Sequence, residues 1–527
     1  MSEADQVAVI AFLADPASHG GAAVERIDTH ASIVFLAGDR AFKLKRAVRF
    51  SYLDYSTLAL REQACRAELA LNQRTAPELY EEASPITRDA AGRLSLGGTG
   101  ATVDWVVVMR RFDQEALFDR MAERGQLSNT LMCDLAERIA QFHASAEIDN
   151  ESGGHAGMAA TTASDARNLR AAVPDAFDAA RVERLIAAIQ ADLTRVAPLL
   201  EVRRQGGKVR HCHGDLHLRN ICLVAGRPTL FDGIEFNRVI SNIDVLYDLA
   251  FLLMDLHARG LDGFANAVFN RYLDLLDEGD GLPALPLFLS VRGSVRAHVS
   301  AAAAQRQARP EARSRAHDEA RRYLAHAGDL LRPRPPRLIG IGGFSGSGKS
   351  TVAYGLAPGL GGVPGARVLR SDVIRKRMCG VALTDRLPSS AYGKEMGERV
   401  FRRIREEAAT ALAAGRAVIA DAVYARAAER NAIAAVAHDA RVPFVGLWLE
   451  APPEALAARI AARRDDASDA TPAVLQQQLA YSLGHMAWHR IDAGGPVDIV
   501  VEAARQALAH AASEPAATGD SGNEGDR

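Results

Sequence analysis

The octapeptide GFSGSGKS, Gly343 to Ser350, stands between an apolar pentapeptide, LIGIG, and a helix-patterned run, TVAYGLA. A glycine-rich turn that ends in Lys-Ser and joins a strand to a helix restricts what the surrounding chain can become. Glycines let backbone N–H groups turn inward, the lysine neutralises phosphate oxygens, and the serine hydroxyl is placed to ligate Mg²⁺. The segment predicts a parallel sheet wrapped by helices, with the phosphates of a nucleoside triphosphate on the helix N-terminus. Gly343, Ser345, Gly346, Ser347, Gly348, Lys349, Ser350 and Thr351 are the expected contacts. A plain glycine turn would need no lysine.

The chain on either side of this loop agrees with that expectation. RVLRSD, AVIADAV and PFVGLWLE read as strands alternating with helical patterns, and ligands of such sheets sit at the carboxyl ends of strands. Asp372 and Asp421 close two of these strands. Asp372 is the candidate catalytic carboxylate for an acceptor hydroxyl, and Asp421 the candidate to hold Mg²⁺ through water or to orient substrate. Each has a plainer alternative as a cap of the following helix. Arg459 and Arg463 lie four residues apart and lead into an acidic loop, RDDASDA. They read as lid arginines closing over a transferring phosphoryl group, Arg463 acting in catalysis, or else as a solvated basic helix face.

A chain of 527 residues exceeds what one core organises, and the proline cluster RPRPPR marks a break. The expected domains are 1–330, a Pro/Arg linker at 331–336, 337–510, and a disordered tail at 511–527. Hydrophobic residues at 48% and a formal net charge of −2 argue against disorder as the default and against strong unspecific attraction to nucleic acid or anionic membrane. The five cysteines are scattered, as reduced thiols are. With no apolar run of membrane length and no visible presequence, a cytoplasmic location is expected, with no membrane partner. The basic stretch from Val291 to Arg322 reads as a solvated interdomain helix before it reads as a nucleic-acid contact.

In the first half, HCHGDLHLRN (211–220) poses a choice. A zinc reading would recruit His211, Cys212, His213, His217 and Cys222, but their spacing is not that of a paired knuckle, and Gly214 disfavours a helix carrying His213 and His217. A phosphotransfer reading uses Asp215 as base and Asn220, five residues on, as a Mg²⁺ ligand. It demands a hairpin ending in a second metal-binding carboxylate. ICLV, AGRP, TLF and then Asp232 supply it.

With those residues in view, 25–320 resembles the aminoglycoside phosphotransferase and choline kinase family, relatives of protein kinases. The resemblance implies that Asp215 orients or deprotonates the acceptor hydroxyl and that Asn220 and Asp232 bind Mg²⁺. It further implies that His217 shapes the loop and that Asp248 braces it. It implies a strand lysine paired with a helix glutamate. Lys43 in AFKLK, with Glu68, fits best, and Lys45 on the same strand face is the competitor. VVVMRRF would be the adenine-facing hinge strand, with Met109 near the ring. The pattern departs from the family's relatives at DGIEF, which leaves Glu235 as a further metal-site carboxylate or a structural acid.

Residues 337–505, through GFSGSGKS, SDVIRK and VIADAVY, resemble small AAA-type P-loop kinases related to polynucleotide kinase, gluconate kinase and zeta-type toxin kinases. The expected fold is thus α/β and α+β: a protein-kinase-like two-lobe domain followed by a P-loop parallel-sheet α/β/α domain. The expected activity is a fusion of two phosphotransferases using ATP and Mg²⁺. The acceptor would be a small molecule or, for the P-loop half, a nucleic-acid end. The alternatives are that one half is a silent nucleotide-sensing regulator, or that the P-loop half is an ATPase.

Overall fold

Along Arg40–Lys45 the side chains alternate as a strand requires. Phe42 and Leu44 enter one apolar cluster, while Lys43 and Lys45 reach carboxylates on the opposite face. The computed structural model describes residues 6–29, 31–50, 53–307, 309–462 and 467–513. The chain divides into two compact units, Met1–Arg332 and Pro333–Arg527.

The first unit opens with β1 (Val24–Asp28), β2 (Ser32–Ala37), β3 (Arg40–Lys45), a small ribbon of β4 (Arg49–Phe50) and β5 (Leu53–Asp54), then β6 (Tyr80–Arg88), β7 (Leu94–Leu96) and β8 (Ala101–Arg110). The main sheet has the order β1-β2-β3-β8-β6-β7 and is antiparallel throughout. Val9 and Leu13 of the helix Val7–Ala14 cover one face through Ile33, Phe35, Val106 and Val108. The helix Leu58–Asn72 covers the other, with Cys65 against Trp105 and Val107. Its cap is Thr57, whose hydroxyl accepts from the Leu60 N–H at 3.3 Å.

Asp104 ties this lobe together from a fully buried position on β8. It accepts from Arg61 Nε at 2.6 Å and Gln6 Nε2 at 2.6 Å, and both donors are buried too. Removing one member of a buried ion pair leaves the other charge uncompensated, a loss of about 3–5 kcal/mol. Asp104→Ala is therefore expected to lower unfolding free energy by that amount, measured by urea titration followed through tryptophan fluorescence. A change below about 1 kcal/mol, the range of exposed pairs, would refute the pairing.

The second lobe is helical around two short ribbons. β9 (Val209–His211) pairs with β12 (Asn242–Asp244), and β10 (Ile221–Val224) forms a hairpin with β11 (Arg227–Leu230). Cys212 lies buried beneath this region and donates from Sγ to the Ile243 carbonyl. The helix Val245–Ala258 is apolar nearly all round and buried from Val245 to Leu256, as a central helix should be. The helix Leu285–Gln305 corrects the solvated-helix reading of 291–322: Arg292, Ser294 and Ala297 are interior residues. Only the following helix, Pro310–Leu330, has a mostly exposed basic face.

In the second unit β13 (Leu338–Gly342), β14 (Arg367–Arg370), β15 (Val418–Asp421), β16 (Phe444–Glu450) and β17 (His489–Asp492) form a sheet ordered β14-β15-β13-β16-β17 with every pair parallel. The helices Lys349–Leu356 and Val497–Ser513 pack on it through Val352, Leu356, Val500, Val501 and Ala504. The last helix runs to Ser513, into the stretch expected to be a disordered tail. Residues 514–527 lie outside the described residues.

Candidate active sites

In the first unit, a strand, a helix and a hairpin converge on one cluster of charges. β3 presents Lys43, whose Nζ bonds Glu68 Oε1 on the helix Leu58–Asn72 at 2.7 Å and also Asp232 Oδ1 beyond the hairpin β10–β11. Glu68 is fully buried, whereas the Asp232 side chain is 42% exposed, so this carboxylate is the open edge of the cluster. Burial alone would raise the Glu68 pKa, yet the two neighbouring ammonium groups of Lys43 and Lys45 outweigh it and hold the carboxyl low. The same balance, with Asp232 and Glu68 as the opposing charges, holds Lys43 firmly protonated.

Asp232 has φ +61°, a left-handed conformation uncommon outside glycine and costly enough to persist only where surroundings enforce it. The surroundings do so. Its N–H donates to the Tyr80 hydroxyl at 3.1 Å, the Gly233 N–H to Asn72 Oδ1 at 2.9 Å, and the Ile234 N–H to the His213 carbonyl at 2.9 Å.

The loop 213–220 is suspended from the lobe's interior. Asp248 accepts from the His213 N–H at 3.1 Å and the Gly214 N–H at 2.9 Å, while Arg292 Nη1 donates to the Gly214 carbonyl at 3.0 Å. Asp248 is in turn held by His143 Nε2 at 3.1 Å, and His143 Nδ1 contacts the Tyr272 hydroxyl at 2.9 Å. Asn220 Nδ2 donates to Asp215 Oδ2 at 2.9 Å, and His217 Nε2 stands 3.4 Å from the same oxygen. Burial would raise the Asp215 pKa, but His217 and then His213 outweigh it and keep the group ionised below the usual carboxylate range.

The histidines have other partners than a metal. His213 Nε2 lies 2.9 Å from the Phe231 carbonyl and its Nδ1 accepts from the Asp215 N–H at 3.3 Å, while His217 Nδ1 accepts from the Arg219 N–H at 3.2 Å. Among the described residues the compact trio of metal-ligand types is His143, Cys212 and Asp248, a different set from the zinc reading. Hydrogen bonds to backbone and Tyr272 already occupy the Asp248 and His143 atoms.

Lys45, the competitor of Lys43, is buried at 2% exposure and bonds Glu68 and Glu235, so it has no open side comparable to that of Lys43. Glu235 itself is buried and accepts from the Tyr55 hydroxyl at 2.8 Å. Met109 lies half-buried near the end of β8. Arg292, Asn72 and Tyr80 escaped sequence reasoning: each is an unremarkable helix or strand residue, and no local spacing connects it to the loops it holds.

In the second unit, β13 runs into the glycine loop. Gly343 (φ +144°) and Gly346 (φ +87°) are required sterically, since a Cβ at Gly346 would stand 2.5 Å from the Leu456 carbonyl oxygen. Gly348 caps the helix Lys349–Leu356 in a left-handed conformation with no side-chain cap, so first-turn N–H groups remain for an anion. The Ser345 N–H donates to Gln478 Oε1 at 2.8 Å, and Ser347 turns its side chain inward, leaving main chain as its means of contact. Thr351 is exposed. Lys349 Nζ reaches the Phe344 carbonyl at 3.1 Å across the loop.

Ser350 Oγ donates to Asp421 Oδ2 at 2.6 Å, and Arg370 Nε stands 3.7 Å from that oxygen. Asp421 is buried, and burial raises its pKa against the pull of Lys349 and Arg370. A buried carboxylate bonded to the loop serine suits a hard cation; it does not cap a helix. Asp372 falls in the first turn of the helix Ser371–Cys379, two positions past the cap residue Arg370, close enough to Asp421 for its charge to act there. Arg459 donates to the Gly494 and Gly495 carbonyls at 3.4 and 3.5 Å, and Arg463 lies outside the described residues.

A model of the phosphotransferase enzyme family matches residues 54–285, and an AAA domain model matches residues 338–482. An uncharacterized protein of Mycobacterium tuberculosis is 30% identical over 479 residues, covering 89% of this chain and 92% of that protein. Among solved structures, an unliganded sugar kinase from Janibacter is 23% identical, covering 33% of this chain and 95% of its own, at a TM-score of 0.27. A choline/ethanolamine kinase family protein from Mesorhizobium loti is 15% identical, covering 62% and 99%, at a TM-score of 0.35. The chain belongs to the family of this mycobacterial protein, and it is a kinase-type enzyme in which a phosphotransferase-family domain precedes a P-loop domain of the AAA kinase type.

Proposed function

We propose that both modules transfer the γ-phosphate of ATP to an acceptor hydroxyl, each with its own nucleotide site. The observation that carries this reading is the convergence of Lys43, Glu68 and Asp232, laced by main-chain bonds to the loop bearing Asp215 and Asn220. In phosphoryl transfer the protein's contribution is positioning and charge, since little covalent chemistry falls to it.

In the first module Lys43 holds the α and β phosphates. Asp215, kept ionised, orients the acceptor hydroxyl and takes its proton. Asn220 and Asp232 are the Mg²⁺ ligands: the exposed Asp232 carboxylate supplies surplus negative charge at the mouth of the cluster, as a hard cation requires. In the second module the main-chain N–H groups at the start of the helix Lys349–Leu356, together with Lys349, seat the phosphates, Ser350 and Asp421 hold Mg²⁺, and Asp372 meets the acceptor. Arg463 is the lid arginine. Mg²⁺, held by these residues, would supply positive charge against the triphosphate.

The acceptor of either module is a small molecule, or for the P-loop module a nucleic-acid end, and ATP is drawn from the cytoplasm. Transfer from γ-labelled ATP into a pooled metabolite and RNA extract, with products resolved by mass, tests the reading. Labelled product is expected; acceptor-independent release of inorganic phosphate with no labelled product would point to an ATPase instead. In the first module Lys43→Met should raise KM for MgATP by about 10- to 100-fold, the value of one or two charge-assisted bonds, while the second module's product is unchanged. Equal KM values in steady-state assays would exclude the phosphate-binding role.

A further inference from the structure

Lys45 and Glu235 form a second strut beside Lys43 and Asp232. The period of two places Lys43 and Lys45 on one face of β3, with Cα atoms about 7 Å apart. Asp232 and Glu235 stand three residues apart on the segment that leaves the hairpin β10–β11, and each meets one lysine. Glu68 lies between the two struts: Oε1 bonds Lys43 and Oε2 pairs with Lys45.

The two pairs differ in exposure. The Lys45 and Glu235 side chains are 2% and 4% exposed, whereas the outer carboxylate, Asp232, is 42% exposed. Tyr55 closes the inner side, its hydroxyl donating to Glu235 Oε1 at 2.8 Å and its ring lying 5.2 Å below Lys45 Nζ. Burial alone would lower the Lys45 pKa, but Glu235 and Glu68 outweigh it and raise it well above the usual lysine range, so the strut is charged.

Two ammonium groups thus face three carboxylates, Glu68, Asp232 and Glu235, and the one surplus negative charge falls to the exposed group. A buried ion pair is weak evidence for added stability, because desolvation offsets attraction; fixing one geometry is its better-attested use.

We infer that Lys45 and Glu235 are positioning residues of the first module: without touching nucleotide, they hold Glu68 and the 232–235 segment so that Lys43 and Asp232 face MgATP. The inference rests on the phosphotransferase reading of this module. Glu68 is fastened from both sides, so its pairing with Lys43 does not wait for nucleotide to bind.

The test uses the full-length chain with Lys349→Met, which weakens the second nucleotide site, titrated calorimetrically with the Mg²⁺ complex of a non-hydrolysable ATP analogue. Lys45→Met, Glu235→Gln and the double variant are compared with that parent, with thermal unfolding run in parallel. Each single variant should lose at least tenfold in affinity and unfold at lower temperature, since it strands a buried charge. The double variant should recover most of the unfolding temperature but not the affinity. Recovery of both in the double variant would make the strut a purely structural contact and overturn the inference. So would affinity within twofold of the parent for Lys45→Met. A parent that binds no nucleotide would instead sink the phosphotransferase reading of the module, and the inference with it.

Discussion

Asp215→Asn should lower the first module's kcat by about 10³-fold, within the usual range for loss of a positioned general base, while its affinity for MgATP stays within a few-fold of the parent. The separation follows from the geometry. Asp215 belongs to the loop suspended from Asp248 and Arg292, whereas Lys43, Glu68 and Asp232, the cluster proposed to hold MgATP, come from other elements. An asparagine preserves shape but places an amide where Asn220 Nδ2 now finds a carboxylate oxygen. The measurement is initial-rate transfer into whichever product persists in Lys349→Met, together with a nucleotide titration. Transfer within threefold of the parent would remove Asp215 from the chemistry. Full recovery of the transfer rate on raising ATP concentration would assign it to binding instead.

Lys349→Met is expected to cost the second module about 10² to 10³-fold in transfer, the scale for removing one preorganised charge from a developing anion, and to leave the first module's product untouched. Lys349 follows the left-handed Gly348 at the start of its helix and reaches across the loop to Phe344. A methionine keeps the helix and the packing and loses the ammonium alone. Gly346→Ala should mimic the loss for a different reason, since its Cβ would stand 2.5 Å from the Leu456 carbonyl oxygen, backbone that cannot turn aside. The check is mass-resolved product formation by each variant. Loss of both products at once, in a chain whose unfolding is unchanged, would mean that one nucleotide site serves all transfer.

Legibility in the sequence followed chain distance. The glycine loop, its strand and its helix are contiguous, so their pattern carries strand, turn and helix together. The loop from Asp215 to Asn220 and the hairpin to Asp232 are local as well, and the strand, turn, strand and carboxylate expected after Asn220 are the hairpin β10–β11 and Asp232. Choosing between Lys43 and Lys45 was harder, because both lie on one strand face; only the position of Glu235, 190 residues away, distinguishes the buried lysine from the open one. Arg292 misled for a related reason. Its basic, alanine-rich surroundings resemble a solvated helix, and the partners that bury it, Gly214 and Tyr247, are remote in sequence.

The cysteines give these folds a chemical clock. Cys65 and Cys222 share the apolar cluster beneath the first module's sheet, and burial pushes both thiols up to about 12. Cys212, buried below the loop carrying Asp215, is held well above the ordinary thiol range for the same reason. Thiolate is the reactive form, so at neutral pH these sulfurs react with an alkylating reagent only when their surroundings open. Cys379, at the end of the helix Ser371–Cys379, belongs to the second unit. Cys379 is only half-buried, so mass-resolved alkylation over time reads the opening of the first module, from Cys65, Cys212 and Cys222, in one undisturbed polypeptide.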